Sequence, residues 1–209
     1  MKIVCFSDLH GQYSKKLTEW FMDNPADLLL FAGDLQLNNF DDGIKFIDWL
    51  NVLPYKEKVF IFGNHDGNYD YTEDYVAKFK NIHCLNNENI DINGIKIFGS
   101  PYSIKFFDWW FMKSDRQLAK IYSKIPENTN ILLTHTPPFG IMDKTISGNF
   151  AGSESLLKRI DELSNLKHHI FGHIHENFGI EKIGNINFIN ASILDEKYKF
   201  KRMPIIFEY

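Results

Sequence analysis

Cysteine, basic charge and long apolar runs are all scarce in this sequence. Its 209 residues include 2 cysteines, Cys5 and Cys84, too few for a disulfide framework. The chain has 23 Lys and Arg and 27 Asp and Glu, which gives a net charge of -4. This balance does not indicate a basic surface for binding nucleic acid or anionic lipid. No apolar run approaches the roughly 18 residues of a membrane span, and the N-terminus has no leader pattern. These absences predict a cytoplasmic protein with no membrane partner and no stable nucleic-acid complex.

Linkers, internal repeats and low-complexity segments are absent as well. We therefore predict one domain over residues 1–209. Hydrophobic residues make up 44% of the chain, and a chain of this length buries roughly 70% of its unfolded surface in one core.

Short apolar runs at intervals predict buried β-strands, since continuous apolar character is typical of strands covered on both faces. The five runs are "KIVCFS" (2–7), "DLLLFAG" (27–33), "KVFIFG" (58–63), "NILLTH" (130–135) and "HHIFGH" (168–173). Four helical patterns cover 14–23, 41–53, 113–125 and 153–164, with Ser14 and Ser153 as N-caps. Turn-forming pairs at 93–94 and 184–185 predict hairpins. The predicted fold class is α/β, with mixed sheets and βαβ units at the N-terminal end.

Polar side chains follow each of these apolar runs. In chain order they are Asp8 and His10, then Asp34, then Asn64, His65 and Asp66, then His135, and finally His173 and His175. Ligands of open α/β sheets bind at the carboxyl ends of the strands, so we expect all five clusters at one rim. The sequence therefore predicts one site built from strand ends that are far apart in the chain.

Metal chemistry explains these residue types better than ordinary turns do. Two aspartates, one asparagine and four histidines, without a thiolate, suit Mn, Fe, Zn, Co or Ni better than Ca. Seven ligands are too many for one four-coordinate ion with an open position, so we predict two divalent metal ions that share a carboxylate. Two divalent ions carry more positive charge than two carboxylates neutralise. The site therefore keeps a positive charge, which favours binding of an anion such as a phosphate ester.

The ordered motifs "DLH", "GD", "GNHD", "THTPP" and "GHIH" resemble those of the calcineurin-like metallophosphoesterase superfamily. The resemblance implies a four-layer α/β/β/α sandwich of two mixed β-sheets flanked by helices. It also implies a dinuclear metal centre, for which Mn is the expected ion. The metal ligands carried over by motif are Asp8, His10 and His175 for the first ion, Asn64, His135 and His173 for the second, and Asp34 as the bridge.

The same resemblance implies the catalytic residues. His65 matches a histidine that contacts the phosphate and protonates the leaving oxygen, and Asp66 would orient His65. A hydroxide bridging the two metal ions would attack the phosphorus atom in line. Asp66 has an alternative interpretation as a cap of the turn that follows it.

Longer segments, among them "IFGSP" and "LLTHTPPFGIMD", look like one branch of the superfamily, the small metallophosphoesterase-domain proteins that act on phosphodiesters, including cyclic nucleotides. No arginine lies beside any motif, so the usual clamp for a dianionic monoester is missing. We therefore predict a phosphodiesterase that acts on small nucleotide-like diesters. The alternatives are a phosphomonoesterase, a DNA nuclease of the superfamily, and a non-catalytic protein-interaction module. The oligomeric state stays open.

Several residues near the motifs have two interpretations. The run "FFDWWF" over 106–111 either stacks on a nucleobase or, as we favour, fills a core or an oligomer interface. Phe139 and Phe178 are better placed to flank the substrate. Asn190 either braces a metal-binding histidine or ends a strand, and the charged segment 195–202 is predicted to be a solvated hairpin or loop. The histidines outside the motifs, predicted to be structural, are His83, His168 and His169.

Overall fold

Two β-sheets lie face to face in the computed structural model, which describes residues 1–67 and 69–209. The first sheet consists of β1 (Lys2–Phe6), β2 (Ala26–Ala32), β3 (Tyr55–Ile61), β4 (Ile82–Cys84) and β13 (Ile205–Glu208). Its strand order is β13-β1-β2-β3-β4, in which β1 to β4 are parallel and β13 is antiparallel to β1. The parallel sheet predicted for the N-terminal end is therefore confirmed.

The second sheet has six strands of mixed direction. They are β5 (Glu88–Ile92), β6 (Ile95–Ser100), β9 (Ile131–Thr134), β10 (His168–Phe171), β11 (Gly179–Ile183) and β12 (Ile186–Asn190). The order is β11-β12-β10-β9-β6-β5, with parallel pairs in the middle and an antiparallel hairpin at each edge. The predicted turns at 93–94 and 184–185 connect these hairpins. Two short strands, β7 (Ser103–Ile104) and β8 (Met112–Lys113), pair separately.

Five α-helices occur in the part of the chain that the structure describes. They are α1 (Lys15–Asp23), α2 (Phe40–Val52), α3 (Tyr69–Val76), α4 (Asp115–Tyr122) and α5 (Glu154–Asp161). Ser14 and Ser153 are N-caps as predicted, since each accepts a hydrogen bond from a backbone N–H of the first turn. Among these described helices, none is both long enough and apolar enough to cross a membrane.

The hydrophobic core has three parts, each lying between two layers. Along β1, Val4 and Phe6 pack against α1 and α2, whereas Ile3 and Cys5 pack against the second sheet. On the far face of the second sheet, α4 and α5 bury side chains such as Leu156. The layers are therefore helix, sheet, sheet and helix, which confirms the predicted four-layer α/β/β/α sandwich.

The carboxyl ends of strands from both sheets meet at one edge. Ser7, which follows β1, forms a parallel bridge with Ser192, which follows β12. The backbone N–H of Asp8 donates a hydrogen bond to the carbonyl of Gly33. The first link joins the two sheets and the second joins the loops after β1 and β2, where the polar motifs lie.

Candidate metal centre

Histidine and carboxylate side chains form three overlapping groups at this edge. In each group the candidate ligand atoms all lie within 4.8 Å of one another. The groups are Asp8, His10 and His175; His10, Asp34 and His65; and Asp34, His135 and His173. Asn64 joins the third group, because its Oδ1 lies 3.0 Å from His135 Nε2. The structure thus brings together all seven side chains predicted as metal ligands.

Asp34 lies between the two outer groups. Its Oδ1 is 3.3 Å from His135 Nε2, and its Oδ2 is 3.5 Å from His10 Nε2. The two oxygens of one buried carboxylate therefore face ligands that belong to different groups. A carboxylate shared by two neighbouring ions needs this arrangement.

Charge and hydrogen bonding at the site favour cations. Asp8 and Asp34 are buried, and His10 Nε2 is a buried atom without a hydrogen-bond partner among the described residues. Burial lowers the pKa of His135, but Asp34 outweighs this effect and raises it to about 9. Burial likewise opposes the charged form of His175, yet Asp8 raises its pKa to about 9. Buried carboxylates that attract positive charge, beside an imidazole nitrogen without a partner, fit two divalent ions.

The backbone determines which nitrogen of each ring faces the ligand groups. The Nδ1–H of His135 donates to the carbonyl of Ala32, and the Nδ1–H of His175 donates to the carbonyl of Asp195, both at 2.9 Å. When either ring is neutral, as a metal-binding histidine must be, its Nε2 atom carries the lone pair. Such hydrogen bonds to the distal nitrogen are typical of metal-binding histidines. A glutamine side chain contacts Nδ1 of His10 in the same way.

The C-terminal part of the chain holds Asp8 in place. Ser192 Oγ donates to Asp8 Oδ2 at 2.7 Å, and the backbone N–H of His173 donates to the same oxygen at 3.1 Å. Asn190 Nδ2 donates to the carbonyl of Ile174, which lies between two ligand histidines. Asn190 also ends β12, so both of its interpretations hold, although it braces the histidine segment through the backbone rather than through a ring.

Two glycines permit the close approach of these loops. A side chain at Gly63 would overlap the Asp34 carboxylate, and one at Gly172 would overlap Ser7 Oγ and Asp8 Oδ2. Glycine is therefore required at these two strand ends because another backbone or carboxylate occupies the space of a Cβ atom.

Four of the ligand residues have a left-handed backbone. Their φ angles are 58° at Asp8, 43° at His10, 62° at Asp34 and 69° at His173. A residue with a Cβ atom is about 1 kcal/mol or more less stable in this region than in the ordinary ones. Surrounding hydrogen bonds maintain the conformation, such as the one from His10 N–H to the carbonyl of Asp34 at 3.0 Å.

Asp66 does not orient the His65 ring, in contrast to our prediction. Its buried carboxylate accepts hydrogen bonds from the backbone N–H groups of Gly63 at 2.7 Å, Asp34 at 3.1 Å and Gln36 at 2.9 Å. Burial and the nearby Asp34 carboxylate raise the pKa of Asp66 to about 7. The reason for the difference is that the loops after β2 and β3 both direct their N–H groups at this side chain. Asp66 therefore fixes two loops, which is closer to its alternative interpretation as a turn cap.

His65 belongs to the second of these groups, with His10 and Asp34, and its ring is half-buried. Its backbone N–H donates to Asp34 Oδ1 at 2.9 Å, whereas its imidazole has no hydrogen-bond partner among the described residues. The ring contacts those of Trp109 and His10, at centroid distances of 4.6 and 4.8 Å. Burial lowers the pKa of His65, so a neutral imidazole with one N–H is its main form near about pH 7.

A cavity of about 480 Å³ opens beside these residues. Its lining includes Asp34, His65 and His173, and its aromatic side chains are Phe106, Trp109, Phe150 and Tyr198. A larger cavity of about 580 Å³ lies near β4 and β5 and has none of the predicted ligands in its lining. The ligand groups, rather than cavity size, therefore identify the candidate site.

The aromatic run 106–111 divides between core and surface. Phe111 is buried, whereas Phe106, Phe107, Trp109 and Trp110 are between 43% and 58% exposed. A core position is therefore confirmed for Phe111 and wrong for the four other rings, for which an oligomer interface stays a prediction. The reason is that β7 and β8 pair with each other on either side of the run 106–111. The residues between them therefore form a loop.

Phe139 and Phe178, which are predicted to flank the substrate, are not among the residues that line this cavity. Phe139 packs against Phe150, and Phe178 lies against the guanidinium of Arg202. Sequence reasoning also missed Tyr198, whose ring lies 4.8 Å from the ring of His10. The available signal for Tyr198 is an aromatic residue inside a charged segment. The prediction of a solvated hairpin or loop over 195–202 gave this tyrosine no role.

Paired groups of histidine and carboxylate ligands at the strand ends of an α/β/β/α sandwich are the arrangement of dimetal phosphoesterases. A family model described as calcineurin-like phosphoesterase matches residues 1–177. The chain therefore belongs to the calcineurin-like phosphoesterase family, whose members are dimetal-dependent hydrolases of phosphoesters.

Individual relatives agree with this assignment. A UPF0046 protein of Caenorhabditis elegans is 31% identical over 224 residues, which cover 99% of this chain and 74% of the relative. Human metallophosphoesterase domain-containing protein 1 is 30% identical, with 99% of this chain and 70% of the relative covered. Among solved structures, a dimetal phosphatase from Danio rerio has a TM-score of 0.52 at 10% identity, covering 91% of this chain and 86% of that one. This last likeness concerns the fold alone.

Proposed function

We propose that this protein is a cytoplasmic phosphodiesterase, a single domain over residues 1–209, that hydrolyses small nucleotide-like phosphodiesters. The observation that carries the proposal is a carboxylate, Asp34, shared by two groups of ligand side chains beside a cavity of about 480 Å³. Two ions can stabilise both the attacking and the leaving oxygens of a phosphoryl transfer. A cavity of this volume suits a phosphate ester that carries a small organic group.

Seven side chains would hold two divalent metal ions in this proposal, and Mn is the expected metal. The residues are Asp8, His10 and His175 at one ion, Asn64, His135 and His173 at the other, and Asp34 between them. When bound, the ions supply an acidified water as nucleophile and positive charge for the phosphoryl oxygens. The protein contributes fixed ligand orientations, because backbone carbonyls hold the distal ring nitrogens of His135 and His175.

His65 is the residue placed to act on the substrate itself. Its backbone is tied to Asp34, and its ring packs on Trp109 at the cavity wall. The protonated ring, which the negatively charged ester favours, donates to the phosphoryl group. It passes its proton to the departing oxygen as the P–O bond breaks and becomes a neutral imidazole. The alcohol then leaves in its neutral form, and the ring regains a proton from water.

The charge of the cavity supports a diester over a monoester. Among the described side chains that line it there is no lysine or arginine, and Glu176 adds a carboxylate. A monoester dianion has a second negative charge that arginine normally binds, whereas a diester has one. The exposed rings of Phe106 and Trp109 also suit an esterified oxygen better than a free one.

Matched nitrophenyl esters and cyclic nucleotides test the proposal. Protein loaded with Mn²⁺ should hydrolyse bis-p-nitrophenyl phosphate with a higher kcat/KM than p-nitrophenyl phosphate. A panel of 2′,3′- and 3′,5′-cyclic nucleotides should contain further substrates. Asp34→Asn is the matched control, because it keeps the size of the side chain and removes the shared charge, so it should lose activity on every ester.

Other outcomes of this assay identify the alternatives. A preference for p-nitrophenyl phosphate would indicate a phosphomonoesterase, and faster cleavage of single-stranded DNA than of small diesters would indicate a nuclease. Protein that binds both ions and hydrolyses none of these esters would be a non-catalytic interaction module.

A further inference from the structure

The cavity beside the ligand groups has an aromatic wall that the proposed chemistry does not need. Phe106 and Trp109 line it, with 51% and 43% of their surfaces exposed. The ring of Trp109 lies 4.6 Å from that of His65, and the ring of Phe106 lies 5.6 Å from that of His173. Large aromatic side chains that are exposed to solvent next to candidate catalytic and metal-binding residues are typical of ligand-binding surfaces.

A second wall of the same cavity is a hairpin formed by residues 144–150. Lys144 forms an antiparallel bridge with Phe150, and the backbone N–H of Ile146 donates to the Glu176 carboxylate at 2.7 Å. The hairpin is thus fixed to the segment that carries His173 and His175 before any ligand binds. The hairpin side chains that line the cavity are Thr145, Ser147, Asn149 and Phe150.

We infer that this cavity is a subsite for a planar aromatic group of the substrate, in the class of nucleobases. Trp109 and Phe150, which belong to different walls, contact the ring of the base, and Ser147 and Asn149 offer hydrogen bonds to its polar edge. A cavity of about 480 Å³ is within the usual range for a small ligand of this kind. The inference rests on the proposed phosphodiesterase function and names the residues that select its substrate.

Two other uses of these exposed rings agree less well with the structure. A protein partner that covered Phe106 and Trp109 would also close the cavity over His65, so substrates would lose access to the ligand groups. An anionic lipid surface would require lysine or arginine around the rings. Among the described side chains of the lining, the charge outside the ligand groups is instead the carboxylate of Glu176.

A matched pair of cyclic diesters isolates the contribution of the base. Adenosine 2′,3′-cyclic phosphate and methyl riboside 2′,3′-cyclic phosphate have the same scissile bonds, and only the first has a base. Stacking of one base on an aromatic side chain should make the wild-type kcat/KM about tenfold or more higher for the nucleotide. Trp109→Ala and Phe150→Ala should each reduce this ratio several-fold, because each removes a ring that the base contacts.

Ile146→Ala is the control, because Ile146 belongs to the hairpin of the second wall and is 79% exposed but its side chain does not line the cavity. This variant should leave the ratio at the wild-type value. The inference is overturned if the wild-type ratio is close to one. It is also overturned if the two cavity variants slow both substrates equally, since Trp109 would then act only through its contact with His65.

Binding measurements distinguish this inference from the proposed chemistry. Adenosine monophosphate and ribose 5-phosphate can be titrated into Mn²⁺-loaded protein by calorimetry. The nucleotide should bind about tenfold more tightly, and Phe150→Ala should reduce this difference several-fold. If no diester is cleaved but this preference depends on Phe150, the phosphodiesterase proposal fails and the subsite stands. Equal affinities for the two compounds overturn the subsite, whatever the protein hydrolyses.

Discussion

Ser192 Oγ donates a hydrogen bond of 2.7 Å to Asp8 Oδ2, across 184 positions of the sequence. Both side chains are fully buried. With Oδ2 held in this way, Asp8 Oδ1 lies 3.2 Å from His175 Nε2. One candidate ligand is therefore oriented jointly by the two ends of the chain.

Ser192→Ala should weaken ion binding by about 10- to 100-fold, the usual effect of removing a hydrogen bond to a metal-binding side chain. The Asp8 carboxylate would lose a donor and could rotate away from His175. Titration of Mn²⁺ by calorimetry measures the change. Ser123→Ala is the control, because Ser123 is exposed at the end of α4. Unchanged affinity in the Ser192 variant would mean that the serine only fills space.

Asp66→Asn should destabilise the protein by about 2 kcal/mol or more, because buried backbone N–H groups lose a charged acceptor. In a chain of this size the midpoint of thermal unfolding should fall by about 4–8 °C. Asp91→Asn is a matched control, since Asp91 also accepts a backbone N–H, from Gly94 at 2.7 Å, but in an exposed hairpin. A variant with wild-type stability and a selective loss of kcat would instead support the original prediction that Asp66 orients His65.

His65→Ala should lower kcat by about 10²- to 10⁴-fold on diesters that release an alkyl alcohol, because that oxygen needs a proton to depart. The loss should be smaller for p-nitrophenyl esters, whose leaving group departs as an anion. Metal content, measured by elemental analysis, should stay at the wild-type value. His83→Ala, at a histidine paired with Glu57 away from the site, should change neither quantity. Equal losses on both kinds of ester would contradict proton donation.

Mn²⁺ should stabilise the folded protein, because the buried carboxylates attract positive charge. At a free ion concentration 100 times Kd, one site adds about 2.7 kcal/mol to the free energy of unfolding. The unfolding midpoint of protein dialysed against chelator should therefore rise by about 5–10 °C on addition of the ion. Asp34→Asn should show a smaller rise. No shift in the wild type at saturating Mn²⁺ would contradict the ligand assignment.

Acid should destabilise the protein through His169, which is buried between the second sheet and its helices. Its Nε2 lies 2.8 Å from Thr134 Oγ1, and its Nδ1 has no partner among the described residues. Burial lowers the pKa of His169 to about 3 from an ordinary value of 6.5. Below pH 6.5 the unfolded chain therefore takes up the proton first, so stability falls as the pH decreases towards 3.

The loss between pH 6.5 and pH 5 should be about 2 kcal/mol, from roughly 1.5 pH units at 1.36 kcal/mol each. Denaturant unfolding over this range measures it. His169→Gln keeps a polar group near Thr134 and cannot titrate, so its stability should depend less on pH by that amount. Parallel curves for the variant and the wild type would show that His169 does not contribute.

The clustering of the candidate ligands follows from the sequence because the signal for each one is local. Asp8, Asp34 and His135 directly follow continuous apolar runs, and the ends of such strands meet at one edge of an α/β sheet. The helix starts at Ser14 and Ser153 are equally local, since an N-cap bonds only to its own first turn.

Contacts that depend on distant pairing give no such signal. Ser192 reaches Asp8 because it forms a bridge with Ser7, which follows β1 in the other sheet. Tyr198 reaches His10 only through the turn that follows. Helix α3 was missed because its sequence, "YDYTEDYV", lacks a stripe of aliphatic residues at helical spacing. Asp66 was misinterpreted because adjacency to His65 in sequence suggested partnership, whereas consecutive residues of a turn contact different neighbours.

The left-handed backbone at Asp8, His10, Asp34 and His173 has a consequence for protein engineering. Glycine would relieve the local strain at these four positions. Substitutions that stabilise the metal-free chain are therefore also those that remove its candidate metal ligands. A selection for thermal stability alone, carried out in the presence of a chelator, would therefore enrich variants that fold well but have lost activity. Retaining the ions throughout such a selection would reverse that pressure.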